Sequence, residues 1–277
     1  MKVSILIPSR GRIDNLIKSI DSIVNTANSL DNFELLIRFD NDDYENINSF
    51  VEYNTKNYKE FPIKIFIGKR WGYELLHKYY NELSKMSTGN LLWLWNDDLM
   101  MRTKYWDIIL KSSSDNGNKF ALFNPWTNHI LYTHKMDWYW GQSLFPIIPK
   151  KWFDTTGRWS SCHSVDTPVQ IISHSLKIFE YVDIYVEHLR VYSDLNIDEN
   201  GNRLKGNKKG RELHNSIYDI NNPLQWNNVY EHFFPLIISD IFILNEKFNL
   251  IDNPVQGQLP NKSIPIFEKY KNLRSID

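Results

Sequence analysis

The sequence predicts an α/β protein built on a mostly parallel, doubly wound sheet flanked by helices, with a helical C-terminal appendage. Three observations lead there. Four short apolar runs rich in β-formers fall within the first hundred residues, and they are continuous rather than alternating, as strands buried on both faces are. Segments of helical period lie between them. A cluster of polar and charged residues closes each run.

The first run, VSILIP from Val3, leads into Pro8-Ser9-Arg10-Gly11-Arg12. After it, Ile13, Leu16, Ile17, Ile20, Ile23 and Val24 recur in steps of three and four, the apolar stripe of an amphipathic helix. The second run, FELLIRF from Phe33, closes in Asp40-Asn41-Asp42-Asp43, and the polar residues 44–62 leave room for a short helix. The third, IKIFI from Ile63, closes in Gly68-Lys69-Arg70. Tyr73 to Met86 is again helical in period and stops toward Gly89. The fourth, LLWLW from Leu91, runs straight into Asn96-Asp97-Asp98. Past residue 100 the alternation weakens. Residues 103–114 read as a helix, FALFN from Phe120 as a strand, the stretch ahead of His188 as another, and 228–248 as a helix. The segment from Leu195 to Glu212, rich in Asn, Gly and Lys, reads as a mobile loop.

Composition narrows the class. The chain has 277 residues, a formal net charge of -1 and an ordinary globular balance of 42% hydrophobic and 23% charged residues. That charge argues against coating nucleic acid by bulk electrostatics, though not against a local basic patch. The single cysteine, Cys162, excludes an internal disulfide framework, fits a reducing compartment and reads as a buried structural thiol. The run Val3–Ile7 is too short for a signal-peptide core. FFPLIISDIFIL from Phe233, broken by Pro235, Ser239 and Asp240, falls short of the roughly 20 residues of a membrane span. A soluble cytoplasmic protein is expected, with peripheral attachment to a membrane surface as the alternative.

Ligands of such sheets bind beyond the carboxyl ends of the strands. Two basic clusters and two acidic clusters are predicted to converge there, a combination suited to an anionic ligand held with a divalent metal. Asp97 and Asp98, adjacent in sequence, repel each other unless water or a cation compensates them. Further on, Trp126, Trp138, Trp140, Trp152 and Trp159 lie within residues 126–159, where their rings serve either as platforms for sugars or bases or as core. Arg203, Lys205, Lys208, Lys209 and Arg211 form a basic stretch that is either a solvated loop or a lid over a diphosphate or an anionic acceptor.

Taken in order, VSILIPSRGR, the acidic end of the second strand, a helix leading to a Gly and a fourth strand closing in an Asp pair resemble the GT-A fold glycosyltransferases, most of all the family-2 enzymes that use nucleotide-diphosphate sugars. The resemblance covers residues 1 to roughly 190. It implies a catalytic domain over 1–194, with 1–100 as the nucleotide-sugar half and 101–194 as the acceptor-side half, a flexible basic loop at 195–212, and a helical extension at 213–277. It also implies roles. Pro8, Ser9 and Arg10 line the nucleotide with Arg12 nearby, Asp40 accepts from the base or ribose, and Asp42, Arg70 and Asp97 belong to the same donor site. Asn96-Asp97-Asp98 stands where the family carries its DXD motif, with Asp98 as the metal ligand. Asn96 departs from that pattern and leaves ligation within the triplet open. His188 supplies a late histidine to a manganese or magnesium ion, with His163 as the alternative.

Asp166, ahead of Thr167-Pro168, stands where the family has its general base and also suits a helix N-terminus. Hydrogen bonding at a cap lowers a carboxyl pKa and weakens a base, so the two roles pull in opposite directions. Trp140, Trp159, His163, Lys208 and Arg211 are candidates for the acceptor side or lid. The expected reaction is transfer of a hexosyl or pentosyl group to a saccharide, a lipid-linked sugar or another hydroxyl acceptor, by a single inverting displacement. A nucleotidyltransferase, a sugar-nucleotide or glycan-binding module without turnover, and sugar transfer to modified DNA bases are the alternatives. The C-terminal aromatic-aliphatic helix leaves three roles open: core packing, homodimerisation and docking on a membrane surface.

Overall fold

β1 (Val3–Ser9) is the hub around which the first half of the chain is built, because it is hydrogen-bonded on both sides to parallel strands. In this computed structural model, residues 1–59, 61, 63–72, 75–128, 144–189 and 226–252 are described. Trp138, Trp140, Arg203, Lys205, Lys208, Lys209, Arg211 and the whole 195–212 segment lie outside them.

The chain continues through α1 (Ile13–Thr26), β2 (Phe33–Asp40), α2 (Tyr44–Asn57), β3 (Ile63–Gly68), α3 (Leu76–Met86) and β4 (Leu91–Leu94). Then come β5 (Leu99–Met101), α4 (Trp106–Ser113), β6 (Leu122–Thr127), β7 (Ile147–Pro149) and α5 (Lys150–Thr156). It ends in α6 (Asp166–Ser175), β8 (Phe179–His188) and α7 (Trp226–Phe248). One sheet of eight strands results, in the order β3-β2-β1-β4-β7-β6-β8-β5. β3, β2, β1 and β4 are mutually parallel, while β7 runs antiparallel to its neighbours β4 and β6. β8 pairs parallel with β6 and antiparallel with β5.

The four apolar runs form strands because both their faces are covered. Every residue of β2 is buried, whereas β3 at the sheet edge leaves Ile67 exposed. α2 is a full helix of 14 residues rather than a short one, anchored by buried Ile47 and Phe50. β5, β7 and α5 are elements that periodicity does not reveal: strands of three residues are too short to carry a period. Trp93 packs edge-on against both Trp95 and Trp106, with ring centroids 5.1 and 5.4 Å apart. α7 packs on the core through Ile237, Ile241 and Leu244; its Asp240 pairs with Arg158 at 2.6 Å, and its Phe248 stacks on Phe120 at 4.2 Å. Among the described residues no helix is long and apolar enough to cross a membrane.

The end of the sheet away from the charged clusters is tied by Glu34, fully buried on β2. Its carboxylate accepts from Ser4 Oγ at 2.6 Å and from Thr88 N at 2.7 Å, and it pairs with Lys64 at 2.8 Å. Burial works against its charge, yet the hydrogen bonds from Lys64, Ser4 and Thr88 outweigh it and hold the pKa at about 2. Glu34→Ala is expected to lower unfolding stability by about 1–3 kcal/mol, read in a urea melt. Because the folded pKa lies below the usual 4.5, this contribution is complete above that pH and disappears as pH falls toward 2. A melt series from pH 6 to pH 2.5 should therefore bring the variant and the parent together at the acid end.

Candidate functional site

The parallel strands β1 to β4 all deliver their carboxyl ends to one edge, and the predicted charged clusters meet there. The arrangement turns on Gly11. Its φ of +66° lies in the left-handed region that a side chain would strain, and its N–H donates to Asp43 Oδ2 at 3.0 Å. The turn sends the two flanking arginines apart. Arg10 reaches Asp40 at 3.3 Å and also binds Asp42, while Arg12 reaches Asp97 at 2.5 Å and Asp98 at 2.9 Å. Arg70 stands 3.7 Å from Asp42, and Pro8 is half-buried within β1. Arg12, expected beside a nucleotide, here compensates the two carboxylates that would otherwise repel each other.

Asn96-Asp97-Asp98 is a tight turn between β4 and β5, closed by Leu99 N–H donating to Asn96 O at 3.3 Å. Its three side chains have different neighbours. Asn96 Oδ1 lies 2.8 Å from the Tyr80 hydroxyl, which is also 3.0 Å from Trp95 O. Asp97, 0% exposed, accepts from Ser9 Oγ at 2.8 Å through its other oxygen. Asp98 Oδ1 lies 3.2 Å from His188 Nε2. That last approach follows from strand register: β5 pairs with β8 so that Leu99 faces His188, and Leu189 N–H donates to Asp98 O at 3.0 Å. His188 is held in turn by Asn128, which bonds its backbone N–H and C=O, and by the edge of Phe145. Burial, opposed by Arg12 and reinforced by the charge of Asp98, raises Asp97 to about 6.

Asp166 is the first residue of α6, as its place before Thr167-Pro168 predicts. The loop before it is stitched to α3: Asn81 Oδ1 accepts from Trp159 N–H at 2.8 Å, and Ser84 Oγ accepts from the Trp159 indole at 2.6 Å. This seam ties the loop that leads into α6 to the helix that carries Tyr80. The Tyr80 hydroxyl is pushed well above its ordinary pKa first by burial and then by the charges of Asp97, Asp98 and Asp166 together. The competing influences on Asp166 also have a clear winner. Burial raises its carboxyl to about 6, outweighing the hydrogen bonds at the helix start and from Ser164 and Thr167.

One acceptor-side expectation needs correction. Trp159 is 1% exposed and belongs to the core, so its ring offers no face to an acceptor. Of the two candidate histidines, both buried, His188 lies 3.2 Å from Asp98. Arg38 is a feature the sequence reading passed over. It is fully buried on β2, and its guanidinium donates to Asp40 Oδ1 at 3.0 Å, Gly68 O at 3.0 Å, Lys69 O at 2.6 Å and Glu82 at 3.1 Å. The rings of Trp71 and Tyr79 cover it at 4.9 and 4.7 Å. Tyr79 also donates to Asp40 Oδ1 at 2.8 Å. Asp40 thus accepts from Arg38, Tyr79 and Arg10, which leaves little of its capacity for a ligand. The signal was an arginine inside FELLIRF: a cation in a strand buried on both faces requires a partner.

The donor set suits a hard divalent cation. Asp98 offers a carboxylate oxygen of the kind that suits magnesium or manganese, and His188, 3.2 Å away, offers an imidazole nitrogen, the commonest protein ligand of metals. Among the described residues no cluster of three or more His, Cys, Asp or Glu side chains could hold a metal by itself. Remaining ligands would come from water and from a substrate's oxygens, the usual arrangement for magnesium at phosphate sites.

Among solved structures, PcManGT, a mannosyltransferase from Pyrobaculum calidifontis in complex with GDP-Man and Mn2+, matches 99% of this chain and 81% of its own, with a TM-score of 0.55 and 11% identity. S. aureus TarS 1–349 in complex with UDP matches 93% of this chain and 95% of its own, with a TM-score of 0.53 and 11% identity. In complex with UDP-GlcNAc it matches 89% and 73%, with a TM-score of 0.52 and 10% identity. By sequence, neither a family model nor a curated protein matches the chain.

Arg38→Met is expected to cost about 3–5 kcal/mol of stability, because it strands Asp40 and several backbone carbonyls without their buried cation. Thermal denaturation of the purified variant checks this.

Proposed function

We propose that this protein is a glycosyltransferase of the GT-A, family-2 type that moves a sugar from a nucleotide-diphosphate sugar to an acceptor hydroxyl with inversion, aided by a manganese or magnesium ion. The observation that carries the reading is the charged edge itself, where Asp98 lies 3.2 Å from His188 Nε2 at the carboxyl ends of the parallel strands with Arg10 and Arg70 at the rim. The fold shared with a mannosyltransferase in complex with GDP-Man and Mn2+ supports it.

The chemistry assigns a task to each group. Asp166 accepts the proton of the acceptor hydroxyl as it attacks the anomeric carbon, and a base with a pKa near 6 is deprotonated at neutral pH while still basic enough to work. Asp98 and His188 would hold the divalent ion, and the chemistry it would supply is stabilisation of the negative charge on the departing diphosphate. Arg10 and Arg70, at the rim, supply positive charge for the same phosphates. Asp97 is braced by Ser9 and keeps the turn in place. Trp71, half-buried beside Arg38 and Tyr79, offers a ring to the nucleotide base.

A second reading has one observation in its favour. Asn96 stands where the family carries an acid, and its oxygen already lies against the Tyr80 hydroxyl, so a module that binds nucleotide sugar without turnover fits that detail. Slow hydrolysis of the donor without acceptor, followed by nucleotide release, separates enzyme from binder.

Asp166→Asn is expected to lower the transfer rate at least 100-fold while leaving donor affinity by calorimetry unchanged; full turnover in this variant defeats the base assignment. Asp98→Ala is expected to abolish both transfer and metal-dependent donor binding, and donor binding indifferent to chelators removes the metal reading. With acceptor and donor saturating, the rate is expected to climb with pH through a midpoint near 6 and level off above it, as Asp166 loses its proton. Asp97 titrates in the same window. Donor affinity across the same pH range tells the two apart, because the Asp166 charge does not contribute to donor binding.

A further inference from the structure

Arg12 joins the acid turn from outside. Its guanidinium bridges Asp97 at 2.5 Å and Asp98 at 2.9 Å, yet its side chain is 49% exposed while the two carboxylates are buried. Its backbone is fixed independently of that bridge: Arg12 O accepts from Leu16 N–H in the first turn of α1, and Gly11 before it is locked to Asp43. The side chain is therefore free to leave the carboxylates by rotating about its own bonds, with no movement of the helix. One of the carboxylates it covers, Asp98, is the one that faces His188.

A charge count then sets up a competition. The two carboxylates carry two negative charges and Arg12 returns one, so these three side chains together leave one negative charge. A divalent cation added beside Arg12 makes this buried corner net positive, which a site shielded from water resists. A diphosphate arriving with the metal restores the balance, and it gives the displaced guanidinium a planar pair of oxygens to bind. The two donors that face each other, Asp98 and His188, are also too few to complete a metal's shell, so the nucleotide is needed on that count too.

We propose that Arg12 is a resident counter-cation that occupies the Asp97–Asp98 pair until a divalent cation and a nucleoside diphosphate displace it together, so that metal and nucleotide bind as a coupled pair. The inference rests on the metal-dependent reading above and adds a specific positioning role for a residue of this chain. Arg12 suppresses metal binding in the absence of nucleotide and then turns to the diphosphate.

The test is Mn2+ binding, read from the electron paramagnetic resonance signal of free Mn2+, to the full chain, Arg12→Gln, Arg12→Lys and Asp98→Asn. Each is titrated alone and with an excess of GDP or UDP, corrected for Mn2+ taken up by the nucleotide in solution. The expected result is that Arg12→Gln binds Mn2+ alone about tenfold more tightly than the parent. Nucleotide should tighten Mn2+ strongly in the parent and much less in Arg12→Gln. Arg12→Lys, which keeps a cation, should stay near the parent, and thermal melts with and without Mn2+ show whether each variant is folded. Equal or weaker Mn2+ binding by folded Arg12→Gln, with binding still abolished in Asp98→Asn, overturns the role of Arg12 and leaves the metal site standing. Absence of Mn2+ binding by the parent and Arg12→Gln, with or without nucleotide, overturns the metal reading and this inference with it.

Discussion

Two adjacent carboxylates buried at the end of a strand are the constraint that organises this protein's charged edge. Asp97 and Asp98 sit in a turn from which water is largely excluded, so their repulsion has to be balanced by a cation. Arg12 provides it, and the left-handed Gly11 directs Arg12 toward this pair while Arg10 turns to Asp40 and Asp42. The same logic repeats one strand over, where Arg38, sunk under Trp71 and Tyr79, balances Asp40. The edge is a set of matched pairs.

The sheet holds these pairs in place from below. β1 is paired on both sides, so the ends of β2 and β4 stand at fixed positions around PSRGR. The second half of the chain adds to this frame by two seams. β5 and β8 set His188 against Asp98, and the contacts of Trp159 with Asn81 and Ser84 fasten the loop before α6 to α3. Trp159 therefore joins the loop before α6 to α3 from within the core.

Much of this was legible in the chain itself, for reasons that differ by element. β1 to β4 could be read because strands covered on both faces have continuous apolar runs. α1 and α3 could be read because each buries a single stripe. α2 was underestimated because its surface is mostly polar and two buried residues suffice to anchor it. β5 and β7 went unseen because three residues carry no period. Among the site residues, Asp166 declared its helix start through the following Thr and Pro. Trp159 misled because an aromatic ring satisfies a core and a sugar equally well in composition.

By itself the sequence determined the parallel half of the sheet, the edge on which charge would gather and the presence of an adjacent acid pair at the end of β4 that requires a cation. Those follow from local pattern: apolar continuity, helical period, and like charges next to each other. Tertiary structure alone decided which cation meets which acid. Arg12 and Asp98 are 86 residues apart in the chain, and Asp98 meets His188 only because β5 and β8 pair in one register. A side chain reaches a few ångströms, so its partner is chosen by how strands and helices pack, and no local pattern in the sequence encodes that choice.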